Sequence, residues 1–335
     1  MHTPTYLDAV NHVEELGRIF ASDPTELPLD ELMLSMRLGC GATLSATRWV
    51  LSKGGAAVNL HGGFHHAARA HGSGLCVWND LAVAIAVVRS EGFSGQVVIL
   101  DLDAHPPDGS ADCLGADEKV FIGSLSGSDF GTLGPADVAD AHHRIDETLL
   151  PEGCEDGRYL AALSSLLSRI PKPDLLMVIA GGDVLRNDRL GKLGLSLEGA
   201  RARDRMIVHA LPDVPTVWTP GGGYSADAWK VLAGSGLVTD AQARVLGAAH
   251  VFTFGKSPEA QARLLEAAVR MTAPGGLIVY AVCSLQPEEG PERIAALLAG
   301  DLPVERVPVT SAELKGLPVE LTPLGEVRTL PCQLA

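Results

Sequence analysis

Residues 61–109 hold side chains whose types and spacing suit metal and proton chemistry. HisGlyGlyPheHisHisAla at 61–67 sets two imidazoles, His65 and His66, side by side, and AspLeuAspAlaHisProProAspGly follows at 101–109. Side chains alternate along an extended chain, so Asp101, Asp103 and His105 fall on one side of it, as metal ligands do at a strand end. A further acid, Asp183, stands in GlyGlyAspValLeuArgAsnAspArgLeuGly, directly after the apolar run LeuLeuMetValIleAla at 175–180. Tyr224 ends GlyGlyGlyTyr at 221–224. The set reads as an Asp, Asp, His metal site with two bases beside it and a phenol on a glycine turn. Imidazole has the pKa to take a proton from an activated water and return it to a leaving amine. Each piece alone has a plainer meaning. An isolated AspXHis is commonly a surface pair or core polar cluster, GlyGlyGlyTyr a loop, and His61 and His71 packing or capping residues.

The elements that must carry these residues are legible as alternating patterns. Continuous Val, Ile and Leu runs near 96–101, 119–124, 174–180 and 214–218 predict strands buried on both faces of a parallel sheet. Helical spacing predicts helices at 80–91, 158–170 and 197–210. The βαβ alternation implies an α/β fold, a parallel sheet flanked by helices, whose ligands gather at the carboxyl ends of its strands. After about residue 240 the character changes. Ala260, Leu264, Ala267, Ala268 and Met271 recur at helical spacing, with Ser257 as N-cap and Pro258 in the first helical position. ProGlyGlyLeuIleValTyrAlaValCysSer from 274 reads as a turn, a strand and the start of a helix.

At 335 residues the chain suffices for one large or two modest domains. A hydrophobic share of 46% excludes an extended disordered chain. The formal charge of −15 argues against broad nucleic-acid binding, which relies on Lys and Arg at phosphates; it suits solubility or a cationic partner. Six cysteines, Cys40, Cys76, Cys113, Cys154, Cys283 and Cys332, form no CxxC pair, which points away from a disulfide framework and towards a reducing compartment. With no signal-peptide pattern and no apolar run long enough to span a bilayer, a cytoplasmic protein is expected.

From residue 2 to about 240 the chain resembles the zinc-dependent histone deacetylase family, in its class IV and bacterial form, within the arginase-deacetylase superfamily. The resemblance is carried by GlyGlyPheHisHisAla, SerGlyLeuCysValTrpAsnAsp at 73–80, ValIleLeuAspLeuAspAlaHis at 98–105, AlaGlyGlyAspValLeuArgAsnAspArgLeuGly at 180–191 and ProGlyGlyGlyTyr at 220–224. It implies Zn²⁺ on Asp103, His105 and Asp183, with a coordination position left for water and a carbonyl oxygen. Ligand type alone would also admit Fe²⁺ or Mn²⁺. It further implies that Asp101 orients His65 and Asp108 orients His66, that His66 is general base and acid, and that Tyr224 donates to the substrate carbonyl. Asp101, Ser124 and Leu125 match positions that hold a structural monovalent cation, usually K⁺, with Asp103 in part and the carbonyls of His105 and Leu125 contributing. Gly74, Leu75 and Leu190 are expected along the acyl channel. Where Leu75 stands the family commonly has Phe, so a wider acyl preference is expected. The implied substrates are acetylated lysine, acetylated polyamine or another small acylated amine. Members carry a further strand and entrance loop ahead of HisThrProThrTyrLeu, so the domain is expected to be N-terminally short.

Residues from about 250 to 333 resemble the C-terminal part of Nop/Sun-type RNA 5-methylcytosine methyltransferases, through AlaProGlyGlyLeuIleValTyr, CysSerLeuGlnProGluGluGly and LeuThrProLeuGlyGluValArgThrLeuProCysGln. The expected organisation is therefore a deacetylase-like domain at 1–242 and a partial, Rossmann-like methyltransferase segment at 243–335. Cys283 maps to the nucleophile of that second family, but the segment contains no glycine-rich turn for S-adenosylmethionine. The competing functions are a binding protein without turnover, RNA methyl transfer through Cys283, and a two-Mn²⁺ ureohydrolase. The last wants Asp nearer to AspAlaHis than Asp108 is and His after GlyGlyAsp, where this chain has Val184. If the C-terminal segment is non-catalytic, Cys283→Ala leaves amide hydrolysis unchanged and calorimetry finds no S-adenosylmethionine binding. Cofactor binding would overturn that division.

Overall fold

A strand that is buried at every position needs cover on both faces, and three strands among the described residues have that character. The computed structural model describes residues 1–128, 133, 144–228, 230–231, 248–253, 262, 265–266, 269, 277–282, 291–308 and 320–328. In chain order its first part contains α1 (Pro4–Ala9), α2 (Val13–Phe20), α3 (Leu29–Lys53), β1 (Ala56–Val58), α4 (Asp80–Ser90), β2 (Val97–Asp101), α5 (Asp108–Leu114), β3 (Val120–Gly127), β4 (Ile145–Leu150), α6 (Asp156–Leu167), β5 (Leu175–Ile179), α7 (Leu197–Ala210) and β6 (Thr216–Thr219). Among the described residues, strands β2, β5 and β6 are buried throughout.

The six strands form one sheet in the order β1-β6-β5-β2-β3-β4, every neighbouring pair parallel. From β2 the chain steps outward through β3 and β4, then returns to the other flank of β2 for β5 and β6. The order thus reverses between β2 and β5, where the loops leaving the two carboxyl ends diverge and leave a crevice. Ile99, Leu100, Met177, Val178 and Trp218 from the sheet pack with Val50 of α3, Ile85 of α4, Leu163 of α6 and Ile207 of α7. The sheet is the parallel one expected, and the four strands and three helices predicted before residue 220 fall within a few residues of their predicted places; the helix predicted with Ala260 to Met271 lies mostly outside the described residues.

The structure adds elements with weaker sequence signals. Strand β1 has three residues, and β4 interrupts its apolar run with Asp146, Glu147 and Thr148. Helix α3 runs 25 residues, opening with Asp30 and Glu31 against its N-terminal dipole and ending at Gly54, whose φ of 74° is left-handed. Its apolar period is blurred by small residues, and the packing explains them. A Cβ at Gly39 would lie 2.9 Å from the Phe64 ring, so this helix face lets the loop after β1 pass close by. Helices α4 and α7 are capped by the side chains of Asn79 and Ser196, which accept from the N–H groups of Ala82 and Gly199.

The chain divides into two compact units, Met1–Cys283 and Ser284–Ala335. The first also holds a parallel pair, β7 (Ala248–Thr253) with β8 (Leu277–Val282), and β8 is the strand predicted after ProGlyGly. The second contains α8 (Pro291–Leu298) and the antiparallel pair β9 (Glu320–Leu321) and β10 (Val327–Arg328). Ser257, Pro258 and Cys283 lie outside the described residues. Among the described residues, Cys40, Cys76, Cys113 and Cys154 are free and buried, and no helix is long and apolar enough to cross a membrane. Ile99, fully buried in the central strand, should cost about 2–5 kcal/mol when cut to Ala, because the surrounding sheet cannot collapse into the space. Leu38→Ala, on the exposed side of α3, should stay within about 0.5 kcal/mol. Urea midpoints at unchanged slope read both, and equal losses would contradict this placement of the core.

Candidate metal centre

The reversal point carries the acids. Asp101 closes β2, and Asp103 and His105 follow it; Asp183 follows β5; Gly221 to Tyr224 follow β6; His65 and His66 lie in the loop after β1. One donor atom from each of Asp103, His105 and Asp183 lies within 4.8 Å of the others. His105 Nδ1 is 3.0 Å from Asp103 Oδ1 and 3.0 Å from Asp183 Oδ2. Among the described residues this is the one cluster of three or more His, Cys, Asp or Glu donors that converges in this way. Nearby backbone gives up side chains to let the acids in. A Cβ on Gly222 would lie 2.7 Å from Asp183 Oδ2 and 2.9 Å from Asp103 Oδ2. The Gly222 N–H instead donates to Asp103 Oδ2 at 2.5 Å, and Ala104 N–H donates to Asp183 Oδ1 at 3.1 Å.

Two histidine–carboxylate pairs stand beside this group. His65 Nδ1 meets Asp101 Oδ2 at 2.8 Å, and His66 Nδ1 meets Asp108 Oδ1 at 2.6 Å. The two rings are 4.1 Å apart by centroid, and the His66 ring is 5.7 Å from that of His105. Both pairings expected of the resemblance are therefore present as contacts. Each carboxylate engages Nδ1, which leaves Nε2 for other partners. His65 Nε2 lies 3.7 Å from Asp103.

The charges explain how two buried acids share one crevice. Burial disfavours a charged His65, but Asp101 and Asp103 outweigh it and push its pKa up to about 10. His105 follows the same logic, burial opposing and Asp103 and Asp183 prevailing, and is also pushed up to about 10. Burial opposes ionisation of Asp103, yet His65 and His105 hold it well below the usual carboxylate range. Burial and then the Asp103 charge push Asp183 upward. The cluster draws in positive charge, and a divalent cation can supply it. This donor set, two carboxylates and an imidazole around one point, fits such an ion.

Deeper residues hold the site in place. Asp80, buried at the start of α4, accepts from the N–H groups of Gly63 at 3.1 Å and Phe64 at 2.8 Å and from Thr43 Oγ1 at 2.5 Å. Asn59 bridges α3 and the same loop through the Gly39 and His61 carbonyls. Together they clamp the segment that presents His65 and His66. Arg203 of α7 is fully buried against Asp204 at 2.8 Å, and its Nη1 donates to the carbonyls of Gly181 at 3.0 Å and Leu102 at 3.4 Å. It thereby ties the two strand-end loops together. Asp80, Asn59 and Arg203 were not singled out as functional from the sequence, because each finds its partners only when another segment's backbone arrives beside it.

The other expected residues are placed as follows. Ser124 stands in register with Asp101 on the adjacent strand, and its hydroxyl is buried without a hydrogen-bond partner. Leu125 is buried beside it. Gly74, at φ 52°, passes so close over the His66 ring that a Cβ would collide with it. Leu75, itself left-handed at φ 66°, is 40% exposed, and Leu190 is 51% exposed. Tyr224 is half-buried; burial and then the charges of Asp103 and Asp183 raise its pKa. His61 is read as a packing residue by its surroundings, since burial pulls it down to about 4 beside Ser35.

An open parallel sheet that gathers an Asp, His, Asp group and two His–Asp pairs at its switch point defines an α/β protein with donors that could hold a metal ion. Residues 1–237 match the family profile described as Histone deacetylase domain, and the chain belongs to that family. Residues 249–334 match the profile of the 16S rRNA methyltransferase RsmB/F. An uncharacterized protein of Picosynechococcus sp. is 35% identical over 192 residues, covering 55% of this chain and 61% of its own length. Histone deacetylase 2 of Arabidopsis thaliana is 29% identical over 246 residues, 70% of this chain and 62% of its own length. The chain thus spans about three fifths of the length of these two curated relatives. Among solved structures, an HDAC homolog complexed with SAHA has a TM-score of 0.58 at 26% identity, over 71% of this chain and 68% of its own. Acetylpolyamine aminohydrolase from Burkholderia pseudomallei has a TM-score of 0.50 at 25% identity, over 59% of each chain.

Occupying the site requires His105 to lose the proton that its raised pKa holds. Metal affinity should therefore rise with pH across about pH 6 to 8, with proton release that differs between buffers in titration calorimetry. Asp183→Ala should abolish stoichiometric Zn²⁺. Retained metal in that variant, or pH-independent affinity, would refute the ligand assignment.

Proposed function

We propose that the chain is a metal-dependent amide hydrolase that removes an acetyl or related acyl group from a lysine side chain, an acetylated polyamine or another small amine. One observation carries this reading: the convergence of Asp103, His105 and Asp183 beside the His66–Asp108 pair, in a chain of the deacetylase family. A Zn²⁺ ion held by Asp103, His105 and Asp183, or Fe²⁺ on the same donors, supplies Lewis acidity towards the attacking water and the amide carbonyl. His66, with Nδ1 held by Asp108, takes the proton of that water at Nε2 and hands it to the leaving amine. His65, kept cationic by Asp101 and Asp103, tunes the field and stays outside the relay. Tyr224, whose phenol burial keeps protonated, donates to the carbonyl oxygen as charge builds on it.

A monovalent cation, K⁺, is assigned to Asp101, Ser124 and the carbonyls of His105 and Leu125. The unpartnered, buried Ser124 hydroxyl beside Asp101 supports it. Gly74, Leu75 and Leu190 are assigned to the acyl channel, and the acidic chain is not proposed to bind nucleic acid or membrane. We propose the boundary between the two family segments at residues 242–243, a reading supported by the interval between the two matches.

A fluorogenic acetyl-lysine assay on the Zn²⁺-loaded chain tests this. Tyr224→Phe should lower kcat by about a hundredfold or more, the cost of removing one oxyanion donor. His66→Ala should lose about 10²- to 10⁴-fold through loss of general acid and base. Metal bound in full with no turnover of any acylated amine would leave a binding protein instead.

A further inference from the structure

One carboxylate in the loop after β5 takes no part in the chemistry above. Asp188 lies within the stretch at 180–191 and is half-buried. Its two oxygens accept four backbone N–H groups. Oδ1 takes Leu190 at 2.9 Å and Gly191 at 3.1 Å; Oδ2 takes Tyr224 at 2.7 Å and Ser225 at 2.9 Å. The first two belong to its own loop and the second two to the turn after β6. Arg189 Nε adds a bond to the Tyr224 carbonyl at 3.3 Å. The other end of that turn is fastened at Gly222, whose N–H donates to Asp103.

We propose that Asp188 is a positioning residue for Tyr224, clamping the tyrosine turn to the Leu190 loop so that the phenol hydroxyl stands at a set distance from Asp103, His105 and Asp183. The inference rests on the reading of Tyr224 as the carbonyl donor. Three successive glycines offer no side chain to pack, and Gly221 takes φ 63°, so the turn owes its place to backbone hydrogen bonds. Bonds from N–H to an ionised carboxylate are shorter and about twice as strong as neutral ones. An oxyanion donor acts only within about 2.7–3.1 Å of the developing charge, so drift of the turn costs rate before it costs substrate binding. Asparagine at this position accepts through one oxygen, and its NH₂ faces N–H donors, which orphans two of the four groups.

The experiment uses the full chain loaded with Zn²⁺, in four forms: the parent, Asp188→Asn, Tyr224→Phe and the double variant. Expected for Asp188→Asn are full metal content, a kcat about tenfold or more lower with KM within about twofold, and faster amide hydrogen exchange at Tyr224 and Ser225. In the Tyr224→Phe background the same change should cost less than about twofold, because the two residues act as one unit. Equal fold losses in both backgrounds, an unchanged kcat, or unchanged exchange would overturn the proposal. Asp188→Ser, which keeps a single acceptor, is carried alongside and judged by the same criteria, so a folding defect in one variant leaves the other to decide. If Tyr224→Phe alone retains full turnover, the assignment of Tyr224 fails, while the exchange rates still decide whether Asp188 holds the turn.

Discussion

Two buried carboxylates, Asp103 and Asp183, face one point from the ends of adjacent strands, and the rest of the site answers to that constraint. Like charges so placed cannot both stay ionised in a low-dielectric interior without compensation. In the protein alone the compensation comes from His105, lodged 3.0 Å from each acid, and from His65 at the flank of Asp103. Such a cluster stores an affinity for positive charge. A divalent ion on the same donors would satisfy it with one group and displace the histidine proton.

Rigidity around that point comes from buried polar groups that bond to neighbouring segments. Asp80 and Asn59 hold the histidine loop against α3, Arg203 holds the two strand-end loops against α7, and Gly222 hangs the tyrosine turn on Asp103. Apart from the Thr43 hydroxyl that joins Asp80 to α3, these bonds are to backbone. Loops that carry catalytic groups lack the ladder that fixes a strand, so side chains from neighbouring elements do the fixing. The glycines at 221 and 222 and the small residues of α3 then follow from space, since a methyl group at Gly39 or Gly222 would meet a ring or a carboxylate.

The second segment poses a different balance. Its family match begins after the deacetylase match ends, and β7 and β8 form a parallel pair of the kind a nucleotide-binding sheet contains. A cofactor site of that kind also takes a glycine turn and a helix start at the strand end, and the residues that follow β7 and β8 lie outside the described residues. The chemistry argued for this chain therefore draws only on residues before 226.

The sequence by itself determined the residue types, the strand ends on which they sit, and the ordered motifs that name the family. Asp103, His105 and Asp183 stood out because each follows a run of Val, Ile and Leu that is visible without a structure, whereas His65, His66 and Tyr224 were picked out by the paired imidazoles, the glycine turn and the family motifs around them. Helices at 80–91 and 197–210 were legible from their helical spacing. Strand β1, strand β4 and helix α3 were not, because three residues, interspersed acids and a small-residue helix leave no clean period. What only the tertiary structure decided is adjacency. Strand order is a long-range property, and the return of β5 to the flank of β2 is what brings Asp183 to His105 across 78 positions of sequence. The supporting roles of Asp80, Asp188 and Arg203 depend on that same convergence, since a carboxylate or guanidinium declares its partner only when another segment's backbone arrives beside it.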